Sequence, residues 1–416
     1  MHIVAISSSR LPNSQAHPIQ ILKTWAAMAR LPGVRVTLLC VALDSTPEEL
    51  LKSMQLEPHP DLKIEALMPS WVMDRLGLDT YISTNRTWLY GLARWRLKRR
   101  LAKSIAQEPT VIHTRNESVV WWIWETCEAL KIPLIVELHW LKYVDRFRRW
   151  RQRRDSKGET PSLTQCKAFL RKRRDSELDC LRHASMILPL TSCIKDRLEG
   201  WGLSNIEVVP SGTSVPPLPE EKPAETIDLL YAGQFLPWKG VDTVIRAMEH
   251  LPEYRLVLLG DHPPEDKRRL QNLAAEVGAA DRCEFRGRVP HPEVAKAAAA
   301  AKVCVLPTPR KGFPEARFFT SPLKLYEFSA MGKAIVASDV PSLRDVLVHG
   351  ENAWMVRPDD PVAFAHGIRN VMEDEELRAR LGRNARAFAE RHSYEERAKR
   401  LLRHMQKAAG VESAGG

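Results

Sequence analysis

SPLKLYEFSAMGKAIVASD, running from Ser321 to Asp339, reads in order as a helix N-terminus, an amphipathic helix, a glycine stop and a buried strand. Pro322 suits a first helical position, because its missing N–H would be unpaired there anyway. The next N–H groups, of Leu323 and Lys324, then point outward at the positive end of the helix dipole, which is how an α/β protein holds a phosphate. Lys324 adds a mobile positive charge. Glu327, one turn further in, supplies a carboxylate that can accept hydrogen bonds from sugar hydroxyls. Leu325, Tyr326 and Phe328 make the segment mostly apolar, so this acid needs a partner. Gly332 ends the helix and 334–337 form the strand.

The same alternation extends outward from this stretch in both directions. Strand 2–6, loop 7–18, helix 19–30, Pro32-Gly33 and strand 34–40 make a βαβ unit of a parallel sheet, with further strands at 110–113, 134–138 and 186–190. The second half restarts with strands at 227–233, 256–260, 283–287 and 303–307, and Ala-rich 294–302 is helical on propensity. A chain of 416 residues with 44% hydrophobic content exceeds one comfortable core, so two domains of roughly 200 residues are expected. The boundaries read as 1–213 and 227–392 with a proline-rich linker at 214–226. Ser393-Tyr394-Glu395-Glu396 is a capping box that starts a final basic amphipathic helix to about 407, and the tail 410–416 is expected to be disordered.

The excess of 62 Lys+Arg over 51 Asp+Glu is clumped into basic runs at 94–103, 146–157 and 167–174, in the half that holds ten of the 12 tryptophans. Basic residues interleaved with Trp fit an anionic membrane surface, with indoles at the level of the headgroups; solvated helix faces over buried tryptophans are the competing account. No nucleic-acid motif accompanies the charge. No apolar run approaches the roughly 18 residues that span a bilayer, and 2–6 lacks a signal-peptide pattern, so a cytoplasmic protein, peripheral on the inner face of the membrane, is expected. The 7 cysteines form no C-x-x-C pair and read as reduced structural thiols.

Ser321 to Asp339 resembles the donor motif of glycosyltransferase family 4, retaining nucleotide-sugar enzymes of the GT-B fold, in which this helix and its Glu precede a Gly-Lys-x-Ile/Val-Val-Ala strand. The resemblance implies two doubly wound Rossmann-like domains facing a cleft, with a C-terminal helix crossing back to the first. The family commonly has two glutamates eight positions apart, and Phe319 stands where the first would be. Val208 to Thr213 resembles the family's strand ending in Pro-Asn-Gly, with Ser211 for Asn. Lys239, in the turn after strand 227–233, is placed at the sheet's carboxyl edge and suits a diphosphate; the family's Gly-Arg pair is Gly233-Gln234 here, one charge fewer. That leaves Lys239, Lys324 and Arg310 or Lys311 to stabilise the leaving group. The loops at Gly260 and at Arg288-Val289 resemble the base-binding edge, and the resemblance assigns Ser321, Leu323, Lys324, Leu325 and Glu327 to diphosphate and ribose.

On the acceptor side, strand 134–138 leads to His139, which matches the family histidine that contacts the transferred sugar, and Glu137 points to the same face under period-two alternation. Ser9 and Asn13 in the first loop, and Arg115 and Asn116 after strand 110–113, are the acceptor-side candidates. No Asp-x-Asp, P-loop or His-Glu-x-x-His occurs, so neither a metal nor another cofactor is expected, and lysines and N–H groups must balance the diphosphate. The expected activity is retaining transfer of a sugar from a UDP- or GDP-sugar to a hydroxyl acceptor, lipid-linked or a cell-envelope glycan. A sugar-nucleotide epimerase on the same fold would isomerise the donor alone, and a non-enzymatic membrane- or glycan-binding protein would tolerate loss of Lys239, Lys324 and Glu327.

Overall fold

The computed structural model describes residues 1–12, 16–75, 95, 97–99, 101–218, 225–260, 263–311, 314–319 and 321–411. It divides into two compact units, one of Met1–Leu190, Ile194–Pro210 and Tyr394–Gly416, the other of Thr191–Cys193 and Ser211–Ser393.

In the first unit β1 (His2–Ile6), β2 (Arg35–Cys40), β3 (Leu62–Ala66), β4 (Thr110–Thr114), β5 (Leu134–Leu138) and β6 (Met186–Pro189) form a parallel sheet in the order β3-β2-β1-β4-β5-β6. Its inner strands are continuous apolar runs because helices cover both faces. β3 escapes such a reading: Leu-Lys-Ile-Glu-Ala alternates, as an edge strand with one solvated face does. Register sets Ile6 beside Thr114 and Thr114 beside Val136, so the loops after β1, β4 and β5 leave from one edge.

Helix α1 (Ala16–Ala29) starts earlier than the loop reading of 7–18 allowed. It shares a core with the terminal helix α7 (Tyr394–Ala409): Ile21, Leu22, Trp25 and Met28 are buried with Tyr394, Ala398, Leu401 and Met405. Each of the Ile, Leu and Met side chains contributes about 1.5–3 kcal/mol, which holds the last helix in the first unit. The other helices used below are α2 (Glu117–Ala129), α3 (Lys142–Asp155), α4 (Leu163–Leu181), α5 (Leu323–Ala330) and α6 (Glu375–Arg391).

The second unit repeats the plan with β7 (Ile227–Ala232), β8 (Leu256–Leu259), β9 (Cys283–Gly287), β10 (Ala301–Leu306), β11 (Ala334–Ser338) and β12 (Trp354–Val356), ordered β9-β8-β7-β10-β11-β12. β12, three residues long, carries too little pattern to be read from sequence. The chain leaves β7 toward β8 on one side and returns as β10 on the other, so the sheet has its switch point between β7 and β10, where ligands of such sheets bind. Pro322 caps α5 instead of opening it: with ψ at 122° it is extended, and helical geometry begins at Leu323. Gly332, at φ +64°, supplies the left-handed stop.

Candidate functional site

Every donor-side candidate lies in the second unit, on loops leaving the carboxyl ends of β7 to β10 or at the start of α5. The backbone there is drawn together closely enough to exclude side chains. A Cβ on Gly260 would sit 1.7 Å from the Gly233 carbonyl oxygen, while Gly233 N–H donates to Leu259 O at 2.8 Å and Gly260 N–H to Gly287 O at 2.8 Å. Gly240, at φ +69°, would place a Cβ 1.8 Å from the Pro307 carbonyl oxygen, so the turn after β7 rests against the loop after β10 across the switch point. Asp359 then fixes that second loop, accepting from the N–H groups of Arg310 (3.1 Å) and Lys311 (3.0 Å).

Lys239 closes the 3₁₀ turn Pro237–Lys239 immediately before Gly240. It is half-buried, burial pushes its ammonium pKa down, and no carboxylate among the described residues lies within ion-pair distance. A desolvated cation without a counter-ion is unfavourable until an anion arrives, which makes Lys239 a candidate anion-binding residue. Lys324 differs from expectation. Its Nζ lies 2.5 Å from Glu327 Oε2, one turn along α5, so it is an ion-paired charge and not a mobile one. Glu327 thereby has the partner its apolar surroundings require.

Ser321 Oγ lies 2.9 Å from the Tyr326 hydroxyl, Leu325 is buried, and Leu323 is half-buried at the helix start. Gln234 is exposed and uses its carbonyl oxygen to accept from the Tyr231 hydroxyl at 2.9 Å. Arg288 and Arg310 are exposed, and Val289 packs on the apolar layer beneath. Phe319 is 1% exposed, so the position matching the family's first acid is core here. Arg317, which sequence reasoning passed over, belongs to the same β10–α5 connection. Its guanidinium lies 4.5 Å from the Phe318 ring centre, and its buried Nε has no hydrogen-bond partner among the described residues. A cation two positions before Phe319 was the available signal.

In the first unit the acceptor-side candidates separate into two groups. Arg115 is not an open loop residue: its side chain is 5% exposed and reaches Glu137 Oε1 at 2.6 Å and Gln20 at 3.1 Å. The strand-end position after β4 turns it under the sheet edge, where a buried carboxylate awaits it. Glu137 gathers the rest. His139 Nε2 hydrogen-bonds Oε1 at 2.8 Å, Arg397 Nη2 of α7 lies 2.8 Å from the same oxygen, and His113 Nε2 lies 3.4 Å from Oε2. The two arginine Nη2 atoms sit at ion-pair distance but outside hydrogen-bond geometry, so among the described residues the aligned hydrogen bond to this carboxylate is the one from His139.

Burial alone would push the Glu137 carboxyl up, yet Arg115 and Arg397 together outweigh it and hold the group well below the usual carboxylate range. Burial first, then Arg115, lowers His139 to about 4, so its ring is neutral at pH 7.

The second group is a hydrogen-bonded chain: Asn116 Nδ2 donates to Ser8 Oγ at 2.8 Å, Lys142 Nζ donates to Asn116 Oδ1 at 2.8 Å, and the same Nζ pairs with Glu117 at 2.5 Å. Ser9 is buried, its carbonyl oxygen accepting from Val41 N–H, and Asn13 lies outside the described residues. Lys142 also opens α3, whose first N–H groups, of Lys142 and Tyr143, donate to the buried Glu177 of α4 at 2.9 and 2.7 Å.

Helices α3 and α4 carry the second and third basic runs. Phe147, Trp150 and Phe169 stack between them, Arg154 and Arg173 lie over Trp150 and Phe169, and α3 buries none of its residues completely. Trp140, just before α3, and Leu163, the first residue of α4, are exposed, whereas Trp25 and Trp122 are core. Part of the first basic run lies outside the described residues. Among the described residues no helix is long and apolar enough to cross a membrane, and no cluster of His, Cys, Asp and Glu is set to hold a metal ion. Six of the cysteines are buried and none is bonded to another.

Residues 219–388 match the family model described as glycosyl transferases group 1. The D-inositol 3-phosphate glycosyltransferase of Xylanimonas cellulosilytica is 34% identical over 225 residues, covering 50% of this chain and 52% of that protein. The chain thus spans about half the length of the curated relative it matches there, and less of others. Among solved structures, sucrose-phosphate synthase from Thermosynechococcus elongatus superposes with a TM-score of 0.67 at 22% identity, covering 98% of each chain. Anabaena HepE in complex with UDP does so with a TM-score of 0.65 at 15% identity, covering 98% of this chain and 100% of that one. The fold is therefore GT-B, and the match to the glycosyl transferases group 1 model falls within the second unit.

Proposed function

We propose that this protein is a retaining, metal-independent glycosyltransferase that moves a sugar from a UDP- or GDP-sugar to the hydroxyl of a lipid-linked or cell-envelope glycan acceptor. The observation that carries the reading is the half-buried Lys239 ammonium, without a counter-ion among the described residues, held by Gly240 against the loop after β10 at the switch point of the second sheet. A diphosphate at this edge meets Lys239 and the N–H groups opening α5, which stabilise the departing phosphate without a metal. Glu327 accepts from the ribose hydroxyls, and Lys324 turns from it toward the phosphate when the ligand binds. With Phe319 buried at the position matching the family's first acid, front-face attack assisted by the departing phosphate is preferred to double displacement. His139, neutral at pH 7, contacts the transferred sugar.

HepE, solved with UDP, supports a uridine nucleotide, and the relatives named for D-inositol 3-phosphate support a hydroxyl acceptor. Anionic lipid under α3 and α4 would keep the enzyme peripheral on the membrane and near a lipid-linked acceptor.

The test combines thermal shift with UDP, GDP and ADP and a turnover screen of UDP- and GDP-sugars with membrane and glycan acceptors. UDP or GDP is expected to raise the melting temperature of the wild type and not of Lys239→Met. If neither nucleotide raises it and no donor is consumed, the reading is wrong.

A further inference from the structure

Arg397 is the polar exception on the inward face of α7. Its neighbours on that face, Ala398, Leu401 and Met405, are apolar, yet the guanidinium is 0% exposed. It spans three elements: Nε donates to the Pro210 carbonyl oxygen at 2.9 Å, Nη1 to Thr24 Oγ1 of α1 at 3.3 Å, and Nη2 reaches Glu137 Oε1 of β5 at 2.8 Å. Burying such a charge costs several kcal/mol before its contacts are counted. Neutrality does not require it, since Arg115 already balances Glu137 at 2.6 Å. What the second guanidinium adds is a fixed carboxylate: Glu137 is gripped from two sides, and the oxygen so gripped is the one that accepts from His139 Nε2.

We propose that Arg397 is a positioning residue, which through Glu137 fixes the ring plane and tautomer of His139, committing Nε2–H to the carboxylate and leaving Nδ1 unprotonated. The inference rests on the reading of His139 as the group that contacts the transferred sugar. A neutral ring with a defined acceptor nitrogen can take a hydrogen bond from a sugar or acceptor hydroxyl, whereas an imidazolium could only donate. Among the described residues Glu137, Arg115 and Arg397 act on this ring, His113 reaches the same carboxylate and Tyr394 acts on Arg115, and the two arginines oppose a third positive charge there.

The direct test is long-range ¹H–¹⁵N NMR of the full chain labelled with ¹⁵N-histidine, His139 being assigned by the signals lost in His139→Gln. Wild type is expected to show one tautomer with an unprotonated Nδ1 and no titration down to about pH 5. Arg397→Met is expected to give a tautomer mixture and to raise the His139 titration. Arg397→Lys keeps the charge but not the fork, and falls between. If Arg397→Met does not fold, Arg397→Lys carries the test alone. A folded variant with wild-type His139 tautomer and titration overturns the proposal. Donor turnover is measured on the same samples, where Arg397→Lys is expected to lower kcat about tenfold with donor KM unchanged. NMR changes as expected in a chain that consumes no nucleotide sugar would sink the transferase reading and leave the relay standing.

Discussion

Lys239 and His139 show how differently two candidate residues can be written into a sequence. The position of Lys239 was legible because a lysine in the turn after a buried strand must lie at the carboxyl edge of a parallel sheet, and its lack of a counter-ion among the described residues is what tertiary structure adds. Replacing it with Met should weaken UDP or GDP binding about 10- to 100-fold, the worth of one hydrogen-bonded charge pair, while the ligand-free protein loses no stability. Calorimetric titration and unliganded melting test the two halves, and an unchanged affinity would remove Lys239 from the site.

His139 is instead defined by neighbours from remote parts of the chain. Its ring is neutral in the native state with a pKa of about 4, whereas the unfolded chain takes up a proton near 6.5. Its contribution is therefore fully present above pH 6.5 and is lost as pH falls toward 4, about 3 kcal/mol in all. Urea midpoints of His139→Gln should accordingly fall less steeply than wild type over that window. Parallel curves would mean that the imidazole is not held neutral. Arg115 was legible as a strand-end residue but not as a buried one, since only the fold reveals that Glu137 waits beneath it.

At the scale of elements, strands were readable where they are buried on both faces, and β3 and β12 were not, because an alternating edge and a three-residue stub carry little signal. The loops owe their shape to glycines whose partners are distant in sequence. Gly240→Ala should cost about 2–4 kcal/mol, since a Cβ at φ +69° would be driven into the Pro307 carbonyl oxygen, and should also weaken nucleotide binding by displacing Lys239. Denaturant unfolding and UDP titration measure both effects. A variant as stable as wild type would show that the two loops are not in contact.

Helices α3 and α4 permit a further expectation. From Lys142 to Leu181 there are 13 basic and 6 acidic residues, so much of the chain's +11 is concentrated on this pair. Arg153, Lys157, Lys167, Arg171 and Lys172 have no carboxylate partner among the described residues. Changing these five to Ser should abolish flotation on phosphatidylserine vesicles, and raising salt from 50 to 500 mM should do the same to wild type, at about 1 kcal/mol per basic residue. Equal recovery on neutral and anionic vesicles would instead assign the pair to solvent.

For the whole molecule, the terminal helix decides how much of the first unit can stand without the rest. Deleting 394–416 removes Tyr394, Ala398, Leu401 and Met405 from the core and leaves Glu137 short of one arginine, so an aggregating or strongly destabilised protein is expected; deleting 411–416 alone should leave the melting temperature unchanged. Scanning calorimetry of both truncations decides the point, and a stable product from the first would refute the role given to α7.

The sequence by itself determined the alternation of strands and helices, the two doubly wound units and the loops at the carboxyl ends of their strands, because periodicity, glycine stops and buried runs act over a few residues. Only the tertiary structure decided which charges meet. Lys324 is paired within its own helix, Lys239 lacks a carboxylate among the described residues, and Glu137 of β5 is bound by arginines 22 positions before it and 260 after it. Such pairings depend on distance and burial in the folded chain, to which spacing along the sequence is blind.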